Sequence, residues 1–519
     1  MSTPPSTGLL PNWLTLLCLG TMGTALMATE VPQHLAQDLA SGDSLFIEDG
    51  SPLPAEIVQQ SARKFTRQAY GPSYEGVGFH VGGGHSYDFD GVLRAADDDA
   101  CSVIGVHGPD TLLRWNGHWR SDGIYNFPHL ILRNGGHIVF THTAVVDLVM
   151  DQDFFTRQLW VGGDGTGVIE LAAGFRADHS RAAAVPVALG TIRLGGATLI
   201  THDSLSLPSH TRPDGRGGHY QNGHVVFERV PGNRWIIDSS NQVYRAQIDV
   251  DTDAVIETRS DLTHAGQRIQ ALPLPAGVHF TSSGAFRTTA PGVTITKTGP
   301  AMLALDGEQS YRPDSHLVID EGLLRMATDP GLGRAATDAG PHLRMRVQNS
   351  GRLHLSAPQL SMQAITLADS AQMWLDQHSL LALSEPLTVG GQATLHAAGK
   401  VAAPLHCAGT LRIDGRVGSA GLQQGLQLDG RLVLTPGRRQ TTPLLSLSGP
   451  LQRGPQATLD LQFASEPQPG TILISADEHR GDLSDWAGER LCNAGRWRLH
   501  LLWQEQQLRI SSVEAVGDK

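Results

Sequence analysis

Cysteine is nearly absent from this chain: four in 519 residues, Cys18, Cys101, Cys407 and Cys492. No two have CxxC spacing, which excludes zinc-ribbon and thioredoxin-type chemistry, and four are too few for a disulfide scaffold. Cys101, Cys407 and Cys492 have apolar neighbours and are expected as buried structural thiols, their pairing left open. Charge is sparse as well, at 17% of residues with a net of −12. Without a basic stripe to displace counterions, a nucleic-acid partner is not expected. No phosphate-binding Gly-x-x-x-x-Gly-Lys loop, Gly-x-Ser-x-Gly elbow or dinucleotide fingerprint is present. The glycine-rich Gly162–Gly167 lacks their spacing and reads as a turn.

Long apolar runs are also missing, with one exception. The first 28 residues contain no Asp, Glu, Lys or Arg, and Trp13 to Ala28 is apolar apart from small polar residues. Ending in Ala25-Leu26-Met27-Ala28, it reads as a signal peptide, so the protein is expected to be secreted or on the cell surface. The run is shorter than the roughly 20 apolar residues a span requires, and no stable membrane span is expected after cleavage.

What is abundant is glycine, 59 residues, with 29 prolines and 40% hydrophobic residues. This composition suits many turns and short strands, with enough apolar surface to order them. Residues 34–66 are the one stretch that reads as helical, through His34–Leu39 and Ala55–Phe65. From about residue 77 short alternating apolar runs take over, punctuated by Gly, Asn and Asp. Asn134–Phe140 is echoed by Asn222–Phe227, 87 to 88 residues on, with Thr191–Leu194 and Ala197–Ile200 as strand candidates between. In the second half, strands with first inward positions at 353, 373, 393, 411 and 432 recur in steps of 20, 20, 18 and 21. Self-similarity near 20 residues marks a solenoid, in which each turn buries its apolar face only against its neighbours. The fold expected is all-β: a single elongated parallel β-helix, with a short helical N-terminal cap and a β-rich C-terminal cap. At roughly 20–25 residues per turn and roughly 4.8 Å per rung, about 20 rungs would make a rod roughly 90–100 Å long.

One segment carries a resemblance. Residues 295–327 place Lys297 and Gly299 before Leu303 and Leu305, then Gly307 and Tyr311, Leu317 and Ile319, and finally Gly322 and Leu324. This is similar to the autotransporter-associated β-strand repeat, over about 33 residues. Ala301 stands where a second glycine is common, and Arg312-Pro313-Asp314 replaces a Thr-Gly-Gly-type turn. The resemblance implies rungs of a right-handed parallel β-solenoid in a secreted or surface protein, mostly bacterial. The chain shows no aromatic last residue and no terminal series of membrane-barrel strands, so a passenger-like protein without its own pore is expected. Residues 451–519 loosely resemble the closing segment that follows such repeats.

Candidate chemistry is thin. Histidines number 23, many between His80 and His224: His80 and His85 flank Gly82–Gly84, then His137, His142, His202, His210 and His219. Most are expected to be solvated or turn-capping, and no metal or other cofactor is assigned. The acidic groups Asp88-x-Asp90, Asp97–Asp99, Asp151-x-Asp153 and Asp249-x-Asp251-x-Asp253 leave calcium open, although Ala254 and Ser260 break the EF-hand pattern from Asp249. Trp115, Trp119, Arg120 and Tyr125 are the binding candidates, because Trp and Arg alternating on a strand can stack on sugar rings. No catalytic residue is assigned.

The expected layout is a signal peptide (1–28), a leader with helical cap (29–76), solenoid rungs (77–290), a solenoid carrying the repeat (291–450) and a capping segment (451–519). The expected role is structural or adhesive, toward a polysaccharide or a surface protein, with no catalysis of its own. The rival is a polysaccharide lyase or glycoside hydrolase on the same scaffold. Asp238, Arg245, Arg259 and Asp261 gathered in one groove would favour that rival, and scattering them would favour the structural role. Whether the rods associate is left open.

Overall fold

The computed structural model describes residues 26–27, 36–39, 44–59, 78–95, 103–121, 129–148, 158–175, 191–202, 224–228, 230–238, 242–244, 247–264, 285–331, 341–438, 442–463, 465–492 and 495–516. They form a parallel coil with three faces. One turn runs Gly78–Val81, Ser86–Phe89 and Val92–Ala95, on the first, second and third faces. The next runs Val103–His107, Leu112–Trp115 and His118–Ser121, in register with it: Phe79 beside Ile104, Tyr87 beside Leu113, Leu93 beside Trp119. Successive backbone edges are thereby paired and successive inward side chains stacked, which is why period-2 alternation suffices to build the core.

The inward column of the third face shows this over the longest stretch. Leu303, Leu324, Leu353, Met373, Leu395, Leu411, Leu432 and Leu459 are register partners in turn, so the steps from 353 are 20, 22, 16 and 21. The sequence period was right, but its third position is Leu395, with Ala393 buried beside it at the turn. The earlier echo is not a register repeat. His137–Phe140 lies on the second face, beside Leu112–Trp115, whereas His224–Phe227 lies on the first, beside Thr191–Leu194. Many of the described corners use the same small vocabulary of Asn, Gly and Asp turns, so local similarity does not identify a face.

The helical reading of 34–66 is corrected where residues are described. Ala36–Leu39 and Glu56–Gln59 are strands, paired in parallel with each other, and Glu56–Gln59 continues onto Val92–Ala95. β-Branched Ile57 and Val58, both buried, fit a pleated face, and the edge of the next turn supplies their hydrogen-bonding partners. The coil also begins before residue 77, since Ser44–Ile47 pairs with Gly78–Val81. Leu26–Met27, inside the expected signal peptide, pairs with Leu45–Phe46.

At the other end the parallel order continues through Thr458–Leu461 and then reverses. Ile472–Arg480 pairs in parallel with Leu445–Arg453 on one edge and antiparallel with Gln507–Ala515 on the other. Trp497–Gln504 and Gly488–Cys492 extend this antiparallel sheet. Trp486 is buried beneath it, with the Arg453 guanidinium 5.7 Å from its ring centre. The reversal covers the final turn, and Glu489 and Arg490 put charge on the outermost strand, which discourages edge-to-edge pairing. Cys407 and Cys492 are buried free thiols, and burial pushes Cys407 up to about 12. Cys101 lies outside the described residues.

Residues 295–327 span parts of two successive turns, Lys297 lying beside Ile319 and Leu303 beside Leu324. Lys297 is fully buried, and its ammonium donates to the carbonyls of Thr298 (3.0 Å), Gly299 (2.5 Å) and Glu321 (2.7 Å). A side chain on Gly299 would sit 2.5 Å from the Thr258 carbonyl oxygen, and one on Gly322 would sit 2.6 Å from the Lys297 ammonium. Tyr311 donates to Gln309 at 3.0 Å, and Gln309 donates to Thr328 at 2.8 Å. Asp314 takes a positive φ of 56° within Arg312-Pro313-Asp314, a conformation that Asp tolerates better than most residues. Leu303, Leu305, Leu317, Ile319 and Leu324 all face the core.

Burial pushes Lys297 down to about 8 from an ordinary 10.5. Between those values the unfolded chain binds more protons than the folded one, so this residue makes stability rise with pH across that window. The buried hydroxyls of Tyr244 and Tyr311, raised by burial, act in the opposite sense. The expected result is therefore a difference. From pH 8 to 10.5 the urea midpoint of the wild type gains on that of Lys297→Met, and parallel curves would show that the ammonium is not under strain.

Candidate functional site

Two of the four residues read as a binding surface face the core. Trp115 ends a second-face strand and Trp119 lies on the third face, and both are fully buried. Trp115 packs 4.3 Å from Phe89, and Trp119 stacks on Phe140 at 6.4 Å with an interplanar angle of 7°. The expectation is corrected: the alternation puts Arg114 and Arg120 outside, so the tryptophans between them point inward. Arg120 is exposed, and Tyr125 lies outside the described residues. Trp119→Ala is expected to cost about 3–5 kcal/mol of stability by leaving a core cavity. Ligand retention per folded molecule should be unchanged, checked by denaturation alongside a binding assay.

The proposed enzymatic groove is only partly assembled. Asp238 and Arg259 meet at 3.8 Å, but Asp261 accepts the backbone N–H of Met302 at 2.9 Å and so serves a turn. Arg245 lies outside the described residues. Asp238 and Arg259 belong to an ion-pair row running across the turns. Glu170 is held by His137 at 3.0 Å and His202 at 2.9 Å, His202 approaches Asp238 at 3.8 Å, and Arg259 also pairs with Glu257 at 2.7 Å. Arg234 closes the row on Glu257. Each carboxylate already has a basic side chain beside it, an arginine at Asp238 and Glu257 and two histidines at Glu170, which is the arrangement of a structural ladder.

The acidic triplet from Asp249 is divided among separate partners. Asp249 pairs with Arg287 at 2.6 Å, Asp251 accepts from Thr289 at 3.2 Å and Asp253 from the N–H of Thr294 at 2.7 Å. The first face shows a further departure from simple alternation. Its outward side chains Trp160, Arg193, Val226 and Asp249 are buried outside the core cluster, with Arg193 4.8 Å over the Trp160 ring and paired with Glu228. His80 and His107 lie side by side, Nδ1 to Nε2 at 2.8 Å, over Gly105, where any side chain would strike the His80 ring at 1.9 Å. Gly162–Gly167 is a corner between first and second faces, where Asp164 accepts the Asn134 N–H at 2.9 Å.

The open surface is the third face of the second half. Its outward column runs Arg325, His354, Trp374, His396 and Arg412 on successive turns. The neighbouring column contributes Arg352, Gln372 and Arg431, all exposed. Trp374 is partly exposed and lies flat against His396, with ring centres 4.9 Å apart and planes 8° from parallel. Burial, and then the Arg412 charge, hold the His396 imidazole below its ordinary value, so it packs on the indole as a neutral ring. Arg325 pairs with Asp306 at 2.5 Å, His354 with Asp376 at 2.9 Å, and Arg431 with Asp460.

The platform therefore combines a flat aromatic pair with hydrogen-bonding groups on a rigid sheet. Sequence reading placed Met373-Trp374-Leu375 on a strand without drawing the consequence. With Met373 and Leu375 inward, Trp374 must face out, beside His354 and His396. No protein-family model matches this chain, and neither does any curated protein.

Proposed function

We propose that this protein is an exported β-solenoid with a structural and adhesive role, binding glycan through the third face and performing no catalysis of its own. One observation carries the reading: a partly exposed tryptophan stacked flat on a histidine, on the outside of a rigid parallel sheet. An aromatic face offers apolar area and a negative quadrupole to the C–H face of a sugar ring, while Gln372 can hydrogen-bond its hydroxyls. Export is supported by the apolar, uncharged leader of residues 1–28 and by the autotransporter-type pattern of 295–327. Among the described residues, no helix is long and apolar enough to cross a membrane.

The geometry of 295–327 gives that likeness physical sense. The lysine ties together carbonyls of two successive turns, and the glycines stand where backbones approach too closely for a side chain. A scaffold of this kind offers weak contacts that gain strength when several rods engage one polymer. The test is retention of the purified protein on immobilised polysaccharides, with the eluate assayed for new chain ends. Retention without new ends supports the adhesive role. New ends would overturn it in favour of a lyase or hydrolase.

A further inference from the structure

Resting on that reading, we infer that the platform selects an anionic polysaccharide, a polyuronate-type chain lying along the rod axis with one sugar ring on Trp374 and carboxylates on Arg352 and Arg412. The argument is one of register and charge balance. Arg352 lies one turn to one side of Trp374, in the adjacent column, and Arg412 two turns to the other side, in the same column. At roughly 4.8 Å per turn, the two guanidinium groups bracket the indole over a span of about 15 Å along the axis. A single small molecule would not reach both, whereas a polymer would.

The two arginines also differ from their neighbours in how they are balanced. Three carboxylates bordering the platform are already taken: Asp306 by Arg325, Asp376 by His354 and Asp460 by Arg431. The Arg352 guanidinium has no ion pair among the described residues, and Arg412 donates only to the neutral Gln462, at 3.1 Å. Asp414, the nearest acid to Arg412 along the chain, is held by Arg416 at 2.5 Å. Two guanidiniums without an ion pair of their own among the described residues, on a chain of net charge −12, therefore form a local exception, although the Arg412 charge still reaches Asp414. Arginine's planar fork matches a carboxylate bidentately. A nucleic acid is the less suitable anion, because the rest of the molecule would repel its phosphates.

The test compares binding of polygalacturonate and a neutral β-glucan to the full chain at two salt concentrations. Arg352→Gln/Arg412→Gln should weaken polygalacturonate binding at least tenfold and flatten its salt dependence, leaving the neutral glucan unaffected. Arg352→Lys/Arg412→Lys should recover part of the loss, and Arg480→Gln, at a paired arginine in the C-terminal sheet, should change little. Equal effects on both polymers, or none on either, would overturn the charge assignment while leaving glycan binding intact. Tighter binding of single-stranded DNA than of polygalacturonate would overturn it as well. If Trp374→Ala leaves both polymers bound as before, the platform itself fails.

Discussion

Gly322→Ala is expected to lower the unfolding free energy by about 3 kcal/mol or more, a large loss for the addition of one methyl group. Two independent costs coincide at this position. Its φ is +70°, a conformation that costs an L-residue roughly 1–2 kcal/mol. The added carbon would also lie 2.3 Å from the Gly299 carbonyl oxygen and 2.6 Å from that of Ala301, and backbone cannot swing aside as a side chain can. Two other glycines separate these costs. Gly292 has a φ of +69° with nothing within 4 Å, so Gly292→Ala should cost only the conformational part, about 1–2 kcal/mol. Gly391 has open space and no positive φ, and Gly391→Ala should be neutral or slightly stabilising. Chemical denaturation of the three variants checks the order. Equal losses at Gly322 and Gly292 would mean that the Gly299 carbonyl oxygen leaves a carbon added at Gly322 more room than 2.3 Å.

The second large effect is on binding. Trp374→Ala should weaken glycan retention by at least tenfold, about 1.4 kcal/mol, with little change in stability. The ring lies outside the core cluster, so its removal leaves no internal cavity. It does remove the flat surface and frees His396 from its stacking partner. Trp374→Phe should recover part of the affinity, since a smaller aromatic face remains. Trp119→Ala has the opposite profile, with large destabilisation and unchanged retention per folded molecule. Comparing the two distinguishes a surface tryptophan from a core one more cleanly than either alone.

That contrast also shows how far the sequence could be read. The all-β coil was legible because its rule is local: Leu353 and Leu355 inward, Arg352 and His354 outward, then the same again about 20 residues later. The C-terminal β-rich cap was legible from the runs around Ile472, Trp497 and Leu508, although its antiparallel order depends on pairings that sequence does not display. The helical reading of 34–66 failed where described because Ile57 and Val58 were weighed without the neighbouring strand that receives them, Val92–Ala95. The first-half echo failed because a turn followed by a short alternating strand recurs on all three faces among the described residues.

The candidate site was misread for a related reason. In Arg114-Trp115-Asn116-Gly117-His118-Trp119-Arg120 the chain turns a corner at Asn116-Gly117, so the motif is two short strands on different faces. Leu113 fixes the phase of the first strand, and it is inward together with Trp115. The same phase argument applied to Met373-Trp374-Leu375 puts Trp374 outside. Pairing it with His396 required the register between turns, a long-range quantity. Asp238 and Arg259 were likewise recognisable as residue types that meet on adjacent turns, but not as members of a ladder that neutralises them.

The measurement that tests the central claim most directly is retention of wild type and Trp374→Ala side by side on immobilised polygalacturonate, with the flow-through analysed for newly formed chain ends. A third-face adhesin predicts strong wild-type retention, at least tenfold weaker retention of the variant, and no new ends from either protein. Equal retention of the two, or new ends released by the wild type, would contradict it.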